Sequence, residues 1–549
     1  MFHVKDDPNF KKKYYKKTQS VCPECLSSIE AEIIEEDGKI FIRKSCPEHG
    51  EYQDILSSNA DYYRWTHWKG ETWGWEKNGE ANPPDLKGKD PRGCPWNCGL
   101  CEEHLSTCSL AIIEITNRCN LSCNFCFANV EKTGMLIEPS LEEIERVLDH
   151  FREKPIPATS IMFSGGEPSI RSDLLDVIKM SKEKGFKEIL LATNGYAFQK
   201  PNGAEFAREC REHGLDTLYL SFDGVNDETW ITTRGIPLKE YKERVMKNCR
   251  QGGLDSVVLV VTIAKTVNEI EIGNILQYAI DNIDLVRGIV FQPISLCGRV
   301  SHEDVQNLRI NNADVINAIE KQTNGALKLN QDWYPLSTIV EFGRTIAWLG
   351  NQEPIEFTCH PDCGFATYLV LDPDEKKMIS ILEYMDPMAI INYANRFWGK
   401  LKSRKHSEFF SKLAHDSWKG LANMLDNGLE WLDKQQLKAR FALGLLPFIK
   451  KPGKLMEIFT KMILTGNWDN VSSFAYGSLL IGSMHFQDAY NFDMERAKRC
   501  IVHFGVAMPD GSVLEIPFCV MNIFRRNEIE KQIAVPYKKI MEKEIIIDE

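Results

Sequence analysis

The chain of 549 residues is long enough for about two to four domains, and its apolar fraction of 43% is ordinary for a globular protein. Its net charge of -12 argues against a general nucleic-acid-binding protein, and no apolar run approaches about twenty residues, so a transmembrane span is not expected. The N-terminus is rich in Lys, Asp and Tyr, which argues against a secretory signal, and the 17 cysteines then indicate metal binding in a reducing cytoplasm rather than disulfides.

Residues 1–60 are predicted to form a small metal-binding module. A Cys-x2-Cys pair is followed about twenty residues later by a Cys-x2-His pair, with a hairpin turn predicted at Asp37-Gly38 between them. This spacing is typical of a rubredoxin-like or zinc-ribbon-like tetrahedral site. Such a site accepts iron or zinc, so the metal stays open, and a purely structural role is favoured. The predicted ligands are Cys22, Cys25, Cys46 and His49.

Residues 61–108 carry a second group of cysteines. Three of them stand in C-x3-C-x2-C spacing, and a fourth follows just before the first predicted barrel strand. Four thiolates would hold a closed auxiliary 4Fe-4S cluster, and a second structural metal is the alternative. The predicted ligands are Cys94, Cys98, Cys101 and Cys108.

Residues 109–300 alternate strand-like apolar runs with amphipathic helical segments, which predicts an α/β fold with a partial (βα)6 barrel. Ser140 and Glu143 form a capping box ahead of a helix with a buried apolar face. Cys210 and Cys249 fall in helical patterns and are predicted to be core thiols without a metal. The strands are predicted at 109–116, 159–164, 187–193, 217–222, 256–263 and 287–292.

The most informative motif follows the first predicted barrel strand. Cys119, Cys123 and Cys126 stand in C-x3-C-x2-C spacing, with the aromatic Phe125 before the last of them, and are the predicted catalytic residues. Three thiolates hold three irons of a cubane cluster and leave the fourth iron open, whereas the alternatives are a tight-turn zinc site and chance clustering of cysteines. The motif resembles the signature of the radical S-adenosylmethionine (SAM) superfamily. In that superfamily the open iron binds SAM, and an electron from the cluster yields a 5'-deoxyadenosyl radical.

Residues at the ends of the following strands extend this resemblance. Gly165-Gly166-Glu167-Pro168 resembles the GGEP element of the superfamily, in which a strand edge and a carboxylate receive the SAM ammonium. By resemblance, Ser221 and Arg234 meet the SAM ribose and carboxylate, whereas a turn residue and a surface cation are the alternative. The predicted SAM-binding residues are Phe125, Gly165, Gly166, Glu167, Pro168, Thr193, Asn194, Ser221, Asp223, Arg234 and Gln292.

Residues 301–549 are predicted to form a mostly α C-terminal region that binds a second auxiliary cluster and lipid. Folding can bring together four cysteines that are distant in the chain, Cys359, Cys363, Cys500 and Cys519. Cys297 can replace one of them in the ligand set. Basic residues beside apolar helical runs at 438–464 suit the surface of an anionic membrane, whereas a pair of core helices with solvated lysines is the alternative. The candidate ligands are Cys297, Cys359, Cys363, Cys500 and Cys519.

Over nearly its whole length the sequence resembles the archaeal tetraether lipid synthase family, whose members were formerly described as radical SAM pterin dimethyltransferases. The resemblance rests on the cysteine motifs, on His360-Pro361-Asp362-Cys363 and on the sequence MHFQDAYNFD at 484–493. It implies an enzyme that joins terminal methyl carbons of the phytanyl chains of archaeal diether lipids, which gives tetraether or macrocyclic lipids. It also implies SAM, a radical SAM 4Fe-4S cluster, up to two auxiliary clusters, a low-potential electron donor such as ferredoxin, and a cytoplasmic protein in peripheral contact with a membrane.

Two other functions remain open at this stage. A radical SAM methyltransferase acting on a pterin precursor would need a polar pocket and would transfer a methyl group of SAM. An electron carrier tethered to a membrane would use the clusters without cleaving SAM. Methyl-labelled SAM distinguishes the first of these from lipid coupling, and formation of 5'-deoxyadenosine would exclude the second.

Overall fold

The computed structural model describes residues 13–73, 82, 92–98, 100–126, 135–298, 304–350, 355–371, 377–412, 436–450 and 477–536. All 17 cysteines lie within these ranges, and each is a free thiol. The thiols are therefore available as metal ligands.

The N-terminal module is a four-stranded antiparallel sheet in which each strand pairs with the next. Its strands are β1 (Tyr15–Val21), β2 (Ser28–Glu36), β3 (Lys39–Cys46) and β4 (Gly50–Ser57). Asp37 and Gly38 have φ angles of 49° and 72°, as a two-residue hairpin turn requires, so the predicted hairpin is confirmed. Helix α1 (Ala60–Trp73) follows and packs Tyr63 against apolar side chains of the sheet.

Six parallel strands form the open barrel, and each agrees with its prediction to within one residue at either end. They are β5 (Leu110–Thr116), β6 (Ser160–Gly165), β7 (Glu188–Thr193), β8 (Thr217–Ser221), β9 (Val257–Ile263) and β10 (Val286–Pro293). Their buried side chains form the largest apolar core of the molecule with those of the surrounding helices. The carboxyl ends of the strands share one edge of the sheet and thereby place the loops of the site.

The helices of the barrel follow the predicted alternation. They are α2 (Leu141–Arg152), α3 (Leu174–Glu183), α4 (Gly203–His213), α5 (Asp227–Arg234), α6 (Lys239–Gly252) and α7 (Ile272–Asp281). The capping box at the start of α2 is confirmed, since the Ser140 Oγ accepts from the Glu143 N–H at 3.2 Å and the Glu143 carboxylate accepts from the Ser140 N–H at 2.8 Å. Cys210 and Cys249 are fully buried on α4 and α6, as predicted for core thiols.

Strands from the C-terminal region extend both edges of the barrel sheet. They are β11 (Gly364–Leu371), β12 (Ser478–Met484), β13 (Val502–Ala507) and β14 (Val513–Pro517). Strand β12 runs parallel to β10 and pairs with β11, while β13 runs parallel to β5 and pairs with β14. Two-residue strands at Tyr334–Pro335, Met135–Leu136 and Val535–Pro536 and a three-residue strand at Met378–Ser380 complete the pairing. The C-terminal region and the barrel therefore share one sheet, which the sequence does not predict.

The longer C-terminal helices are α8 (Asn312–Gln322), α9 (Val340–Gly350), α10 (Pro387–Lys412) and α11 (Arg526–Ile533), the last entered through a π-helical turn at Met521–Arg525. Short helical segments lie at Val305–Leu308, Leu329–Asp332, Met494–Lys498 and Phe518–Val520.

Only 438–450 of the basic segment 438–464 lies among the described residues. There Phe441 is fully buried against the rings of Tyr393 and Phe397 on α10, whereas Leu443 is 64% exposed. This part therefore forms the packed core helix of the alternative, and membrane contact stays a prediction. Among the helices of the described ranges, none is both long and apolar enough to cross a membrane.

Candidate active site

The N-terminal module brings its four predicted ligands together. The Cys46 Sγ lies 3.5 Å and the Cys22 Sγ 3.7 Å from the His49 Nδ1, and the Cys25 and Cys46 sulfurs are 3.9 Å apart. A tetrahedral zinc ion with ordinary bond lengths separates its ligands by about 3.6 Å for S and N and about 3.8 Å for two S atoms. The site therefore has the dimensions of a mononuclear Cys3His metal centre.

We expect Cys46→Ser to remove one metal equivalent per chain and to loosen the module, since a structural metal stabilises so small a sheet. Elemental analysis of the purified protein measures this. Cys210→Ser, at a buried thiol away from the site, is the control and should retain the metal. Equal metal content in both variants would contradict the assignment.

The three predicted cluster thiols lie together in the loop after β5, and each is partly exposed. Burial, followed by the negative charges of Glu167, Cys123 and Cys126, raises the pKa of Cys119 to about 12. A cationic metal centre that binds cysteine sulfur favours the thiolate form, so it would offset the raised pKa of Cys119. The donor set of three cysteines on one loop therefore fits a metal group held by this trio.

The Gly165-Gly166 pair places the end of β6 against the loop that carries the three cluster thiols. The Gly166 N–H donates to the Thr116 carbonyl at 2.8 Å, and the Glu167 N–H donates to the Arg118 carbonyl at 2.7 Å. A Cβ atom on Gly166 would lie 2.3 Å from the Arg118 oxygen, and one on Gly165 would lie 2.1 Å from the Thr116 oxygen. Only glycine permits this approach, which fixes the chain just before Cys119.

Glu167 is fully buried at the end of this element. Its carboxylate accepts from the Ser169 N–H at 3.1 Å, from the Thr193 hydroxyl at 2.5 Å and from the Asn194 N–H at 2.7 Å. These bonds engage the carboxylate within the protein, and contact of Glu167 with the SAM ammonium stays a prediction. Its role in the structure is to position Thr193 and Asn194, while Pro168 begins the short turn that follows.

Arg234 lies beside the trio rather than on the open surface. Its Nε and Nη2 donate to the two oxygens of the fully buried Asp223 at 2.5 Å and 3.0 Å. Its Nη1 points to the Cys123 sulfur at 3.8 Å. This excludes the surface-cation alternative, and contact of Arg234 with a SAM carboxylate stays a prediction.

Comparison with known proteins agrees with this geometry. Residues 113–279 match the family model of the radical SAM superfamily, and residues 14–58 match that of the HMPTM N-terminal zinc ribbon domain. Over 525 residues the chain is 37% identical to the 7,8-dihydro-6-hydroxymethylpterin dimethyltransferase of Methanocaldococcus jannaschii, covering 95% of this chain and 96% of that protein. The chain belongs to the radical SAM superfamily, in the family of that relative.

Two further similarities cover smaller parts. A probable GTP 3',8-cyclase of Methanothermobacter thermautotrophicus is 31% identical over 198 residues, which cover 35% of this chain and 59% of that protein. The crystal structure of Streptococcus suis SuiB bound to S-adenosylmethionine aligns with a TM-score of 0.33 at 17% identity, over 40% of this chain and 48% of that chain.

The predicted fold class, a radical SAM partial barrel with a zinc-ribbon-like N-terminal module, is confirmed. SAM and a 4Fe-4S cluster are accordingly cofactors of this radical SAM enzyme. The three cluster thiols, and the close backbone approach at Gly165-Gly166 beside them, fit the 4Fe-4S cluster and SAM.

Lys242 contacts two of the predicted SAM-binding residues and was missed by the sequence analysis. It is 1% exposed on α6, and its Nζ donates to the Asn194 carbonyl at 2.7 Å and to the Ser221 hydroxyl at 3.2 Å. Burial, and then the charge of Arg234, lowers the pKa of Lys242 to about 7. The signal was present, because Lys242 interrupts the apolar stripe that Leu238 and Val245 continue on that helix.

We expect Lys242→Met to weaken SAM binding about tenfold, because Asn194 and Ser221 each lose a hydrogen bond to a buried amine. Equilibrium dialysis with the reconstituted protein measures this. Lys247→Met, at an exposed lysine of the same helix, should bind SAM like the wild type. Unchanged affinity in Lys242→Met would remove the positioning role.

Phe125 and Gln292 share a small cavity of about 30 Å³ with Cys297 and Cys519. Burial raises the pKa of Cys297 to about 11, and the negative charge of Cys126 contributes to that rise. Cys297 therefore lies between the radical SAM trio and the C-terminal cysteines.

The four distant C-terminal cysteines, Cys359, Cys363, Cys500 and Cys519, interact through their charges. Burial raises the pKa of Cys359, and the charges of Cys363 and Cys500 add to the rise. The same two charges add to the raised pKa of Cys519. Four mutually interacting thiols can hold a closed cluster, and their identity as its ligands stays a prediction.

The N-terminal auxiliary group is only partly assembled. The Cys94 thiol and burial together raise the pKa of Cys98, and the charge of Cys94 also contributes to the raised pKa of Cys101. Cys108 does not join them and instead lies with His503 and Glu515. The structure therefore corrects the assignment of Cys108 as the fourth ligand. The reason is tertiary, since Cys108 immediately precedes the segment that pairs with β13, which carries His503.

Proposed function

We propose that this radical SAM enzyme joins terminal methyl carbons of the phytanyl chains of archaeal diether lipids, which gives tetraether or macrocyclic lipids. The observation that carries the proposal is a cavity of about 660 Å³ beside the Gly165-Gly166 element. When bound, the cluster and SAM supply a 5'-deoxyadenosyl radical, which is strong enough to take hydrogen from an unactivated methyl group. The protein must therefore hold an alkyl chain close to the trio.

The walls of this cavity suit an alkyl chain. The cavity lies between β5, α2, β13 and α11, and the two glycines form part of its wall. Burying an apolar chain against such walls is favourable by about 25 cal/mol per Å². The apolar wall residues include Ile113, Leu136, Ile144, Val147, Phe504, Met521 and Ile529.

The carboxylates of the described walls are already engaged by other protein groups. Glu114 pairs with Arg526 at 2.7 Å, and Glu530 pairs with the same guanidinium at 3.3 Å. Glu138 pairs with Arg118 at 2.8 Å, and Glu143 caps α2. The pyrimidine edge of a pterin is best recognised by a carboxylate that accepts two N–H groups, so these pairings favour an apolar substrate.

Methylation of a pterin is the second candidate function. It is favoured by the name of the Methanocaldococcus jannaschii relative, a 7,8-dihydro-6-hydroxymethylpterin dimethyltransferase that is 37% identical over nearly the full chain. A methyl group derived from SAM would then appear in the product, whereas lipid coupling only removes hydrogen from the substrate.

The deciding experiment offers both substrates. Anaerobically reconstituted protein is incubated with a reductant, methyl-labelled SAM and either diether lipid or 7,8-dihydro-6-hydroxymethylpterin. Our proposal predicts an unlabelled lipid product whose mass is that of the one or two lipid molecules joined, less two hydrogens for each new bond, together with 5'-deoxyadenosine. A labelled pterin product with unchanged lipid would replace the proposal by the second candidate.

A cavity variant provides a further check. Leu136→Trp should lower lipid coupling at least about tenfold, because the larger ring occupies space in the cavity. Leu371→Trp, at an exposed position on β11, is the control and should couple lipid like the wild type. Equal coupling in both variants would place the lipid elsewhere.

We also propose that the enzyme meets its lipid at the cytoplasmic surface of an anionic membrane and receives electrons from a low-potential donor such as ferredoxin. Exposed Leu443 and the neighbouring exposed Arg440 support the membrane contact. Flotation with anionic and neutral vesicles tests it, and no preference for the anionic vesicles would contradict it.

A further inference from the structure

A buried polar cluster lies where α1 packs against the turn at Pro361–Cys363. It consists of His67 on α1 and of His360 and Asp362 at the turn, and one ligating atom of each lies within 4.8 Å of the others. His67 is 5% exposed and His360 is 1% exposed. None of the three belongs to the radical SAM site, to the N-terminal metal centre or to the predicted cysteine ligands.

The hydrogen bonds of His67 define its tautomer. Its Nδ1 lies 2.9 Å from the Tyr63 carbonyl, so this nitrogen carries a proton and donates it. The buried Nε2 has no hydrogen-bond partner and faces the Asp362 Oδ2 at 3.5 Å. A neutral His67 would thus direct a lone pair at a carboxylate oxygen, and an imidazolium would be too distant for a good hydrogen bond. A cation between the two atoms satisfies both.

The spacing is that of metal ligands. Ordinary Zn–N and Zn–O bonds in a tetrahedral site separate two ligand atoms by about 3.3–3.5 Å. The observed separations are 3.5 Å from the Asp362 Oδ2 to the His67 Nε2 and 3.7 Å from the same oxygen to the His360 Nδ1. The His360 Nδ1 also accepts a long hydrogen bond of 3.3 Å from the Asp362 N–H, and a metal bound at this nitrogen would replace that bond.

The group of Cys108, His503 and Glu515 differs from this cluster in the hydrogen bonds of its histidine. There the His503 Nδ1 lies 2.6 Å from Glu515 and its Nε2 lies 2.9 Å from the Cys500 carbonyl. Both ring nitrogens of His503 are therefore used in short hydrogen bonds to oxygen atoms, and this ring offers no free lone pair to a metal ion.

A fourth ligand is available beside the cluster. His485 is 4% exposed, and its Nε2 also has no hydrogen-bond partner in the structure. It lines, together with Asp362, a cavity of about 20 Å³, which is large enough for about one water molecule.

We propose that His67, His360 and Asp362 bind a divalent transition-metal ion of the zinc or ferrous type, with His485 or a water as the fourth ligand. Two imidazoles and a carboxylate are a donor set that both ions accept. The ion ties α1 to the turn that carries Cys359 and Cys363, and so holds the second auxiliary group in place. The site is structural and independent of the substrate of the enzyme.

The test measures zinc in full-length protein after equilibration with excess zinc and desalting, because zinc binds such sites more tightly than ferrous iron. Compared with the wild type, His67→Ala and Asp362→Asn should each hold about one zinc equivalent less. His213→Ala is the matched control, since the His213 Nδ1 makes the same contact to a carbonyl four residues earlier but belongs to no ligand group.

X-ray absorption at the zinc edge supplies a second readout that does not depend on activity. The wild type should show more nitrogen and oxygen neighbours per zinc than His67→Ala, in which the sulfur-rich N-terminal centre dominates. Circular dichroism checks that the variants are folded. Equal zinc content in wild type, His67→Ala and Asp362→Asn would overturn the proposal and leave a proton between His67 and Asp362.

Discussion

Gly166→Ala is expected to lower SAM cleavage at least about 100-fold, because displacement of a reacting group by about 1 Å has an effect of that size. The added Cβ would lie 2.3 Å from the Arg118 oxygen, a backbone atom that cannot rotate away. Either the Gly165-Gly166 element or the segment before Cys119 must then move. Formation of 5'-deoxyadenosine under reducing conditions measures the effect.

Gly399→Ala is the matched control for this substitution. Gly399 lies on α10, and a Cβ there would have no atom within 4 Å. Alanine is the better helix former by about 1 kcal/mol, so this variant should keep full activity and gain slightly in stability. If Gly166→Ala cleaved SAM as fast as Gly399→Ala, the close approach would have no catalytic role.

Arg309→Met is expected to destabilise the protein by about 3–5 kcal/mol, because it leaves two buried carboxylates without their cation. Arg309 is 5% exposed, and its nitrogens contact the fully buried Asp488 at 2.7 Å and Asp54 at 2.5 Å. Asp54 belongs to β4 and Asp488 to the segment after β12, so one guanidinium joins the N-terminal module to the C-terminal region. Urea unfolding should show the loss, and protease cleavage of the N-terminal module should become faster.

Arg250→Met is the control for the loss of an ion pair. Arg250 pairs with Asp284 on the surface, where the two side chains are 43% and 56% exposed. Exposed pairs of this kind contribute less than about 1 kcal/mol, so this variant should unfold almost like the wild type. Equal destabilisation of the two variants would show that the Arg309 contacts do not hold the domains together.

Local patterns in the sequence predicted much of this molecule. The hairpin at Asp37-Gly38, the capping box at Ser140 and the barrel strands depend on residues close together in the chain, and each is confirmed. The ligands of the N-terminal centre were also predictable, because each of the two ligand pairs lies on one tight turn. The three cluster cysteines were predictable because they are close together in the chain and lie on one loop.

Contacts between residues that are far apart in the chain could not be predicted from the spacing of motifs. Cys108 is close in sequence to Cys101, but the pairing of β5 with β13 places it beside His503. The role of Glu167 was missed because only the fold shows that the end of β7 uses its carboxylate. Arg309 gives no signal at all, since its partners Asp54 and Asp488 lie far from it in the chain, one on either side.

Reductive cleavage of SAM by the three-thiol loop is the reaction on which the assignment of this enzyme depends. Wild-type protein reconstituted with iron and sulfide should form 5'-deoxyadenosine when a low-potential reductant is added, and Cys123→Ser should form none. Wild-type protein that carries its full iron and sulfide but leaves SAM intact would contradict the account.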